Sequence, residues 1–345
     1  MAAMSRVVGI VRTAAWLITR AVTGIVPRCQ GGARDAWLAA RQADLLPLPY
    51  FHVVFTLPAE IAAIAYQNKA QVYAILFDAV AETLKTLAAD PKHLGVEPGF
   101  IAILHTWGQT LTHHPHIHCL VPGGALSPDR QRWVSSRKHF FLPVHVLSSL
   151  FRRLFLERLK AAHADGRLRF FGALSALNDA HAFTDALRPL RVKRWIVFAK
   201  PPFGSPEHVL AYLGRYTHRV AIANSRLVSA DATTVTFRWR DYRHGNAPKL
   251  MSLNVGEFIR RFLLHSLPDG FHRIRHYGFL ANGCCRTRLA RIRQLLVEAR
   301  PAVADASHQT IQPLHQRPRF DPTLCPCCGG KLRITATLPR WRSGN

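Results

Sequence analysis

Within ten residues of the chain stand His113-His114-Pro115-His116-Ile117-His118, and about a hundred residues later Tyr212-Leu213-Gly214-Arg215-Tyr216. Side chains at i and i+2 of a strand point to the same face, so His116 and His118 could hold one divalent ion between them. A two-histidine site completed by a third nitrogen or oxygen suits Mn²⁺, Zn²⁺ or Co²⁺. Mg²⁺ prefers oxygen but can be held where substrate phosphates fill the other positions. The third ligand should come from a neighbouring strand; His105 is the leading candidate, with Gln109, His113 and His114 in reserve. Tyr212 and Tyr216 are four apart, which on a helix places both phenols on one face. A phenol titrates near pH 10 and attacks only when a metal or cation favours its phenolate. Arg215, Arg219 and Arg226 surround the pair and could stabilise that phenolate or a scissile phosphate. Taken singly, each motif has a plain structural explanation: edge-strand histidines, or tyrosines packed under a helix. Together, a metal clamp and two nucleophiles in a basic chain point to phosphodiester chemistry on nucleic acid.

The charge supports that partner. Lys and Arg number 46 against 20 Asp and Glu, a formal +26 over 345 residues, with a pI near 11.0. Such a balance does not specify a fold but does favour a polyanion. The cations are spread along the chain, so the binding surface belongs to the folded body. Arg191-Val192-Lys193-Arg194-Trp195 and Phe237-Arg238-Trp239-Arg240 interleave cations with rings, a mixture suited to single strands, whose bases stack while their phosphates meet charge. The seven cysteines, Cys29, Cys119, Cys284, Cys285, Cys325, Cys327 and Cys328, are odd in number and partly adjacent. That is a poor disulfide framework and fits a reducing compartment, such as the cytoplasm. No stretch is long and apolar enough to span a bilayer.

The elements that must position these groups follow from local pattern. Residues 33–45 favour helix, ended by Pro47 and Pro49. Tyr50 to Leu57 is aromatic and β-branched and reads as a strand. Pro58 opens one long helical run to about Ala89. Phe100 to Trp107 is a second strand, a polar connection covers Gly108 to Pro115, and His116 to Val121 is a third strand stopped by Pro122-Gly123-Gly124. Strands two and three should pair antiparallel. Further expectations are a strand over Trp133–Phe141, a helix over Val144–Asp165, and a strand over Trp195–Ala199 near the metal strands. A helix opening at Ser205–His208 should carry both tyrosines. Strands at Arg226–Val228 and Thr233–Trp239 should pair. Helices are expected at Val255–Leu264 and Leu289–Ala299, then a flexible tail beyond Arg300. No internal repeat is found.

The segment from His105 to Gly124, His-Thr-Trp-Gly-Gln followed by His-His-Pro-His-Ile-His-Cys-Leu-Val-Pro-Gly-Gly, resembles the metal motif of the HUH rolling-circle transposases. More narrowly, the chain resembles the two-tyrosine transposases of the insertion-sequence ninety-one type. Tyr212 through Ile222 is similar to that family's tyrosine motif, and Asp241-Tyr242-Arg243, Glu257 through His265 and Gly270 through Gly278 also match. The likeness runs from about Cys29 to Leu332. It implies an α+β fold, a central antiparallel sheet flanked by helices, with the metal histidines on a central strand. It implies that His116 and His118 bind Mg²⁺ or Mn²⁺ and that Tyr212 and Tyr216 are the nucleophiles. The implied reaction is cleavage and rejoining of single-stranded DNA at element ends through a 5′-phosphotyrosine intermediate.

The chain departs from the family at its front. Such transposases begin with a cysteine/histidine zinc-binding domain; here only Val26-Pro27-Arg28-Cys29-Gln30 matches its end. Residues 1–32 are therefore read as a non-native or truncated segment, residues 33–300 as the catalytic domain, and residues 301–345 as a tail. In that tail Cys325 and Cys328 form a Cys-x-x-Cys that supplies half a Zn²⁺ site. Two alternatives stand beside the transposase reading: a truncated remnant that only binds DNA, and a metal-dependent nuclease or relaxase that uses water.

Overall fold

Aromatic and β-branched residues favour extended backbone because their branched or planar side chains pack well on a pleated surface. The computed structural model describes residues 42, 44–137, 141–200, 208–209, 221–222, 224–241, 244–283 and 285–298. In chain order its elements are β1 (Tyr50–Thr56), α1 (Ala59–Gln67), α2 (Lys69–Ala89), β2 (Phe100–Trp107), β3 (His113–Pro122), β4 (Gly124–Leu126) and β5 (Trp133–Ser135). They continue with α3 (Val144–Ala164), α4 (Ala180–Val192), β6 (Val197–Lys200), β7 (Leu227–Ala230), β8 (Thr234–Asp241), β9 (Ala247–Asn254), α5 (Val255–Leu263), β10 (Ile274–Tyr277) and α6 (Cys285–Glu298). The principal sheet has five antiparallel strands in the order β10-β2-β3-β1-β6, so the histidine strand β3 is central. This is the mixed α+β arrangement of antiparallel sheet and flanking helices that the motifs imply.

The two faces of the sheet separate by parity. Val53, Phe55, Ala102, Leu104, Ile117, Cys119 and Val121 are fully buried on the face that meets the helices. There α1 and α2 pack on β3, and α3 packs on β6. Phe55 meets Phe151 of α3 edge-on with ring centres 5.1 Å apart, and Phe151 meets Trp195 at 5.3 Å. Trp195 is held at both ends: its indole N–H donates to Leu190 O at 3.1 Å, and its carbonyl accepts from Ser148 Oγ at 2.6 Å. Residues of the opposite parity (His52, Val54, His105, His116 and His118) share the other face.

Several elements differ from expectation for local reasons. The helical run after Pro58 breaks at Asn68, whose backbone leaves the helical region (φ −126°, ψ 43°). The buried Asn68 amide donates to Ile64 O and Arg169 O at 3.2 and 2.9 Å and accepts from Arg169 N at 2.8 Å, so the break fastens the helices to a distant loop. Strand β3 starts at His113 rather than His116, because pairing with β2 continues across a bulge between His105 and Trp107. The connection is correspondingly shorter, residues 108–112, closed by Gly108 N donating to Thr112 O at 3.0 Å and by Leu111 at a positive φ of 61°. Among the described residues, the strand expected over Trp133–Phe141 is β5 alone, paired with β4; residues 138–140 of that range lie outside them. The strand expected over Trp195–Ala199 begins at Val197, after Trp195 has turned into the core.

The helix α4 was not foreseen; it contains Pro189 and starts at Asp179, whose carboxylate accepts from His181 N and Ala182 N. Nor were β9 and β10. Strand β9 carries Pro248 and Lys249, poor strand formers, and exists because β8 pairs with it from end to end. The helix expected at Leu289–Ala299 starts earlier, at Cys285. A further junction depends on Gly278, which sits at φ 58° and is so close to Pro98 O that no Cβ could be placed there. No helix among the described residues is long and apolar enough to cross a membrane. The helix expected at residues 33–45 lies largely outside the described residues, as does the tail beyond Arg300. Of the tyrosine-bearing segment, only His208 and Val209 are described before residue 221.

Candidate metal centre

Pairing across β2 and β3 sets His105 directly opposite His116, and Ile103 opposite His118. On β1, Thr56 stands opposite His116 and Val54 opposite His118, which puts His52 one diagonal step from His118 on the same face. Three imidazoles therefore converge: one ring nitrogen each of His105, His116 and His118 lies within 4.8 Å of the others. His105 is buried, and the other two are partly buried. The rings of His105 and His118 are 4.2 Å apart, those of His116 and His118 4.9 Å, and His105 is backed by Trp107 in a stacked contact at 4.8 Å.

The chemistry of this donor set fits a divalent ion, because a ligating imidazole must be neutral and present a lone pair. Burial pushes the His116 imidazole down to about 4. It pushes His118 well below the ordinary histidine range, helped by the neighbouring His105, His116, His52 and Lys200. One tautomer is fixed by its partner. His116 Nδ1 lies 2.7 Å from His114 O, and a carbonyl can only accept, so Nδ1 carries the proton and Nε2 the lone pair.

Of the reserve ligands, His113 and Gln109 are placed elsewhere, while His114 stays on the site face, its ring 5.3 Å from that of His116 but outside the converging trio. His113 is on the helix-side face, where Nδ1–H donates to Ala62 O at 3.1 Å and Nε2 accepts from Tyr73 Oη at 2.8 Å. Both its nitrogens are spent there. His114 lends its main-chain carbonyl to His116, while Gln109 sits in the β2–β3 connection, its own carbonyl accepting from Arg226. Arg226 thereby ties the second sheet, β7-β8-β9, to the rim of the site. Its Nε donates to Arg238 O at 2.7 Å, and its guanidinium lies over Phe237 at 5.6 Å. Tyr212, Tyr216, Arg215 and Arg219, and Cys325 and Cys328, lie outside the described residues.

Sequence reasoning missed His52. It is buried, and its Nε2 lies 2.8 Å from His118 Nδ1, the two rings stacked nearly parallel with centres 5.1 Å apart. The signal was present, since His52 is a lone histidine with period-two spacing to Val54 in an apolar strand. Only the strand register shows which histidine it meets.

Comparison with known proteins bears on the whole arrangement. The sequence model of a family described as "Putative transposase" matches residues 99–288, from β2 into α6. A second, described as "Transposase zinc-binding domain", matches residues 25–57, so that domain is partly present and its match runs through β1. A relative named "Putative transposase y4qJ", from Sinorhizobium fredii, is 58% identical over 318 residues, covering 90% of this chain and 79% of its own length. Another, named "Transposase for insertion sequence element IS801", from Pseudomonas savastanoi pv. phaseolicola, is 26% identical over 327 residues, 90% of this chain and 73% of its own. The family model spans more than half of the chain and the histidine strands lie inside it, so this protein belongs to that transposase family.

Proposed function

We propose that the chain cuts and rejoins one strand of DNA at the ends of a mobile element, through a 5′-phosphotyrosine intermediate. The observation that carries this reading is the convergence of His105, His116 and His118 on one face of the central strands of a strongly basic transposase. Those three imidazoles would hold Mn²⁺ or Mg²⁺; when bound, the ion supplies Lewis acidity to the scissile phosphate. In the proposed step, the oxygen of Tyr212 or Tyr216 bonds to phosphorus while the bond to O3′ breaks. The phenol gives up its proton and O3′ takes one up, so O3′ departs as the free 3′-hydroxyl and the step is balanced. The bond energy is kept in the phosphotyrosine, so rejoining needs no external energy source. Two tyrosines give two strand transfers within one site. Arg215, Arg219 and Arg226 are assigned to the phosphate backbone, and Cys325 with Cys328 to half a zinc site.

A covalent-adduct assay tests the reading. Purified protein is mixed with labelled single-stranded DNA carrying candidate element ends, with Mn²⁺ or Mg²⁺, and separated on a denaturing gel. The expected result is a metal-dependent shifted band, absent in the Tyr212→Phe/Tyr216→Phe double variant and in His116→Ala. Cleavage without an adduct would assign the attack to water. Binding with neither would leave a DNA-binding protein that does not cut.

A further inference from the structure

We infer that His52 is a positioning residue for the metal centre: it accepts the Nδ1 proton of His118 and so holds the Nε2 lone pair of His118 toward His105 and His116. This rests on the metal-centre reading above. It is separable from it, because it makes a statement about the metal-free protein.

The argument starts from the hydrogen bond. Two neutral imidazoles 2.8 Å apart share one proton, and either ring could donate it. If His52 donates, His118 carries its proton on Nε2 and has no lone pair for an ion on that side. If His118 donates from Nδ1, Nε2 is the ligating nitrogen. The second arrangement repeats what His116 already shows, where the His114 carbonyl takes the Nδ1 proton at 2.7 Å. Each histidine of the His-x-His pair then has Nδ1 held by a fixed acceptor and Nε2 turned to the site. Metal-ligating histidines commonly have the second nitrogen engaged in this way, which sets both tautomer and ring orientation.

The surroundings suit an acceptor at this position. His52 is 5% exposed, so water does not compete for the bond. Its ring lies 7° from parallel to that of His118, with ring centres 5.1 Å apart. Lys200 stands directly opposite His52 on β6. His52 lies in the stretch matched by the zinc-binding model, His116 and His118 in the stretch matched by the transposase model. The bond therefore couples the two sequence regions within one sheet.

Two variants separate the hydrogen bond from packing. His52→Phe keeps a flat ring against His118 but removes the acceptor. His52→Gln places an amide oxygen near the lost nitrogen and restores it. The first readout is the ¹⁵N spectrum of histidine-labelled, metal-free protein. His118 should be the Nδ1–H tautomer in the natural chain and in His52→Gln, and should shift toward Nε2–H in His52→Phe. The second is Co²⁺ affinity by calorimetry, which should fall about 10- to 100-fold in His52→Phe and stay within about threefold in His52→Gln. Thermal unfolding of each metal-free variant monitors folding. An Nε2–H tautomer of His118 in the natural chain would overturn the inference whether or not metal binds. So would a folded His52→Phe that binds Co²⁺ as the natural chain does, or a His52→Gln that is as weak as His52→Phe. Failure of the natural chain to bind Co²⁺, with the Nδ1–H tautomer present, would instead sink the metal-centre reading and leave the positioning bond standing.

Discussion

Four histidines stand within six residues, yet their environments give them different work. His116 and His118 face the site, His113 faces the helices, and His114 contributes its backbone. The division comes from strand parity and from which carbonyls and hydroxyls lie within reach. It predicts opposite behaviour for two substitutions of one residue type. His113→Phe should lose the bonds to Tyr73 and Ala62, lowering stability by about 1–3 kcal/mol in urea unfolding. Its Mn²⁺ affinity, read by calorimetry, should change by no more than about threefold. His116→Ala should keep most of the stability and lose at least about 100-fold in affinity, since a ligand is worth more than the partners that orient it. Equal losses of affinity in the two would mean that His113, not parity, helps to define the centre.

At the scale of elements, the sheet is held to its helices by a few polar stitches as well as by apolar contact. Asn68 is the clearest: it ends α1, precedes α2, and spends its whole side-chain amide on Ile64 and Arg169. Lys69, beside it, donates to Leu264 O and Ser266 O at 2.9 and 2.8 Å, binding the start of α2 to the end of α5. Truncation at Asn68 leaves the main-chain N–H and C=O of Arg169, partly buried where they meet the amide, and the buried Ile64 carbonyl without the partner they have here. We expect Asn68→Ala to cost about 2–4 kcal/mol, read as a lower urea midpoint with an unchanged denaturant slope. A change below about 0.5 kcal/mol would show that water or a repacked loop replaces the amide. The helical periodicity around Asn68 was legible in the sequence, but the break was not. Asn is tolerated in helices, and the partner that decides its conformation lies a hundred residues away.

At the scale of the whole molecule, the protein keeps an unusual number of imidazoles neutral inside a chain of formal charge +26. Burial is the first cause in each case, and it holds His52, His113, His116 and His265 at about 4. An unfolded histidine titrates near 6.5. Between those values the unfolded chain binds protons that the folded chain refuses, so stability must fall as pH drops from about 6.5 toward 4 and be insensitive to these groups above 6.5. For His52 and His265, 5% and 3% exposed, the loss by pH 5 is on the order of 2 kcal/mol each. Urea unfolding of the metal-free protein at pH 7.5, 6 and 5 reads it directly. A flat profile would mean that these histidines charge without unfolding. Added Mn²⁺ should raise stability at the neutral end and do progressively less as acid competes for the ligands.

Taken by itself, the sequence determined what depends on near neighbours. Tyr50–Thr56, Phe100–Trp107 and the run after His113 are strands because of their aromatic and β-branched content, and His116 and His118 share a face because of the period of two. The charge and the motifs likewise needed no fold to point toward nucleic acid. Tertiary structure decided what depends on register between strands distant in sequence. It brings His105 rather than His113, His114 or Gln109 to the pair, sets His52 behind His118, makes a strand of Ala247–Asn254 against its own composition, and pairs the short Ile274–Tyr277 with β2. The physical reason is that a backbone ladder aligns whichever residues its pairing places opposite each other. A one-residue slip would turn every side chain to the other face. The histidines could be read as donors from the chain, but their common centre exists only once β1, β2 and β3 are in register.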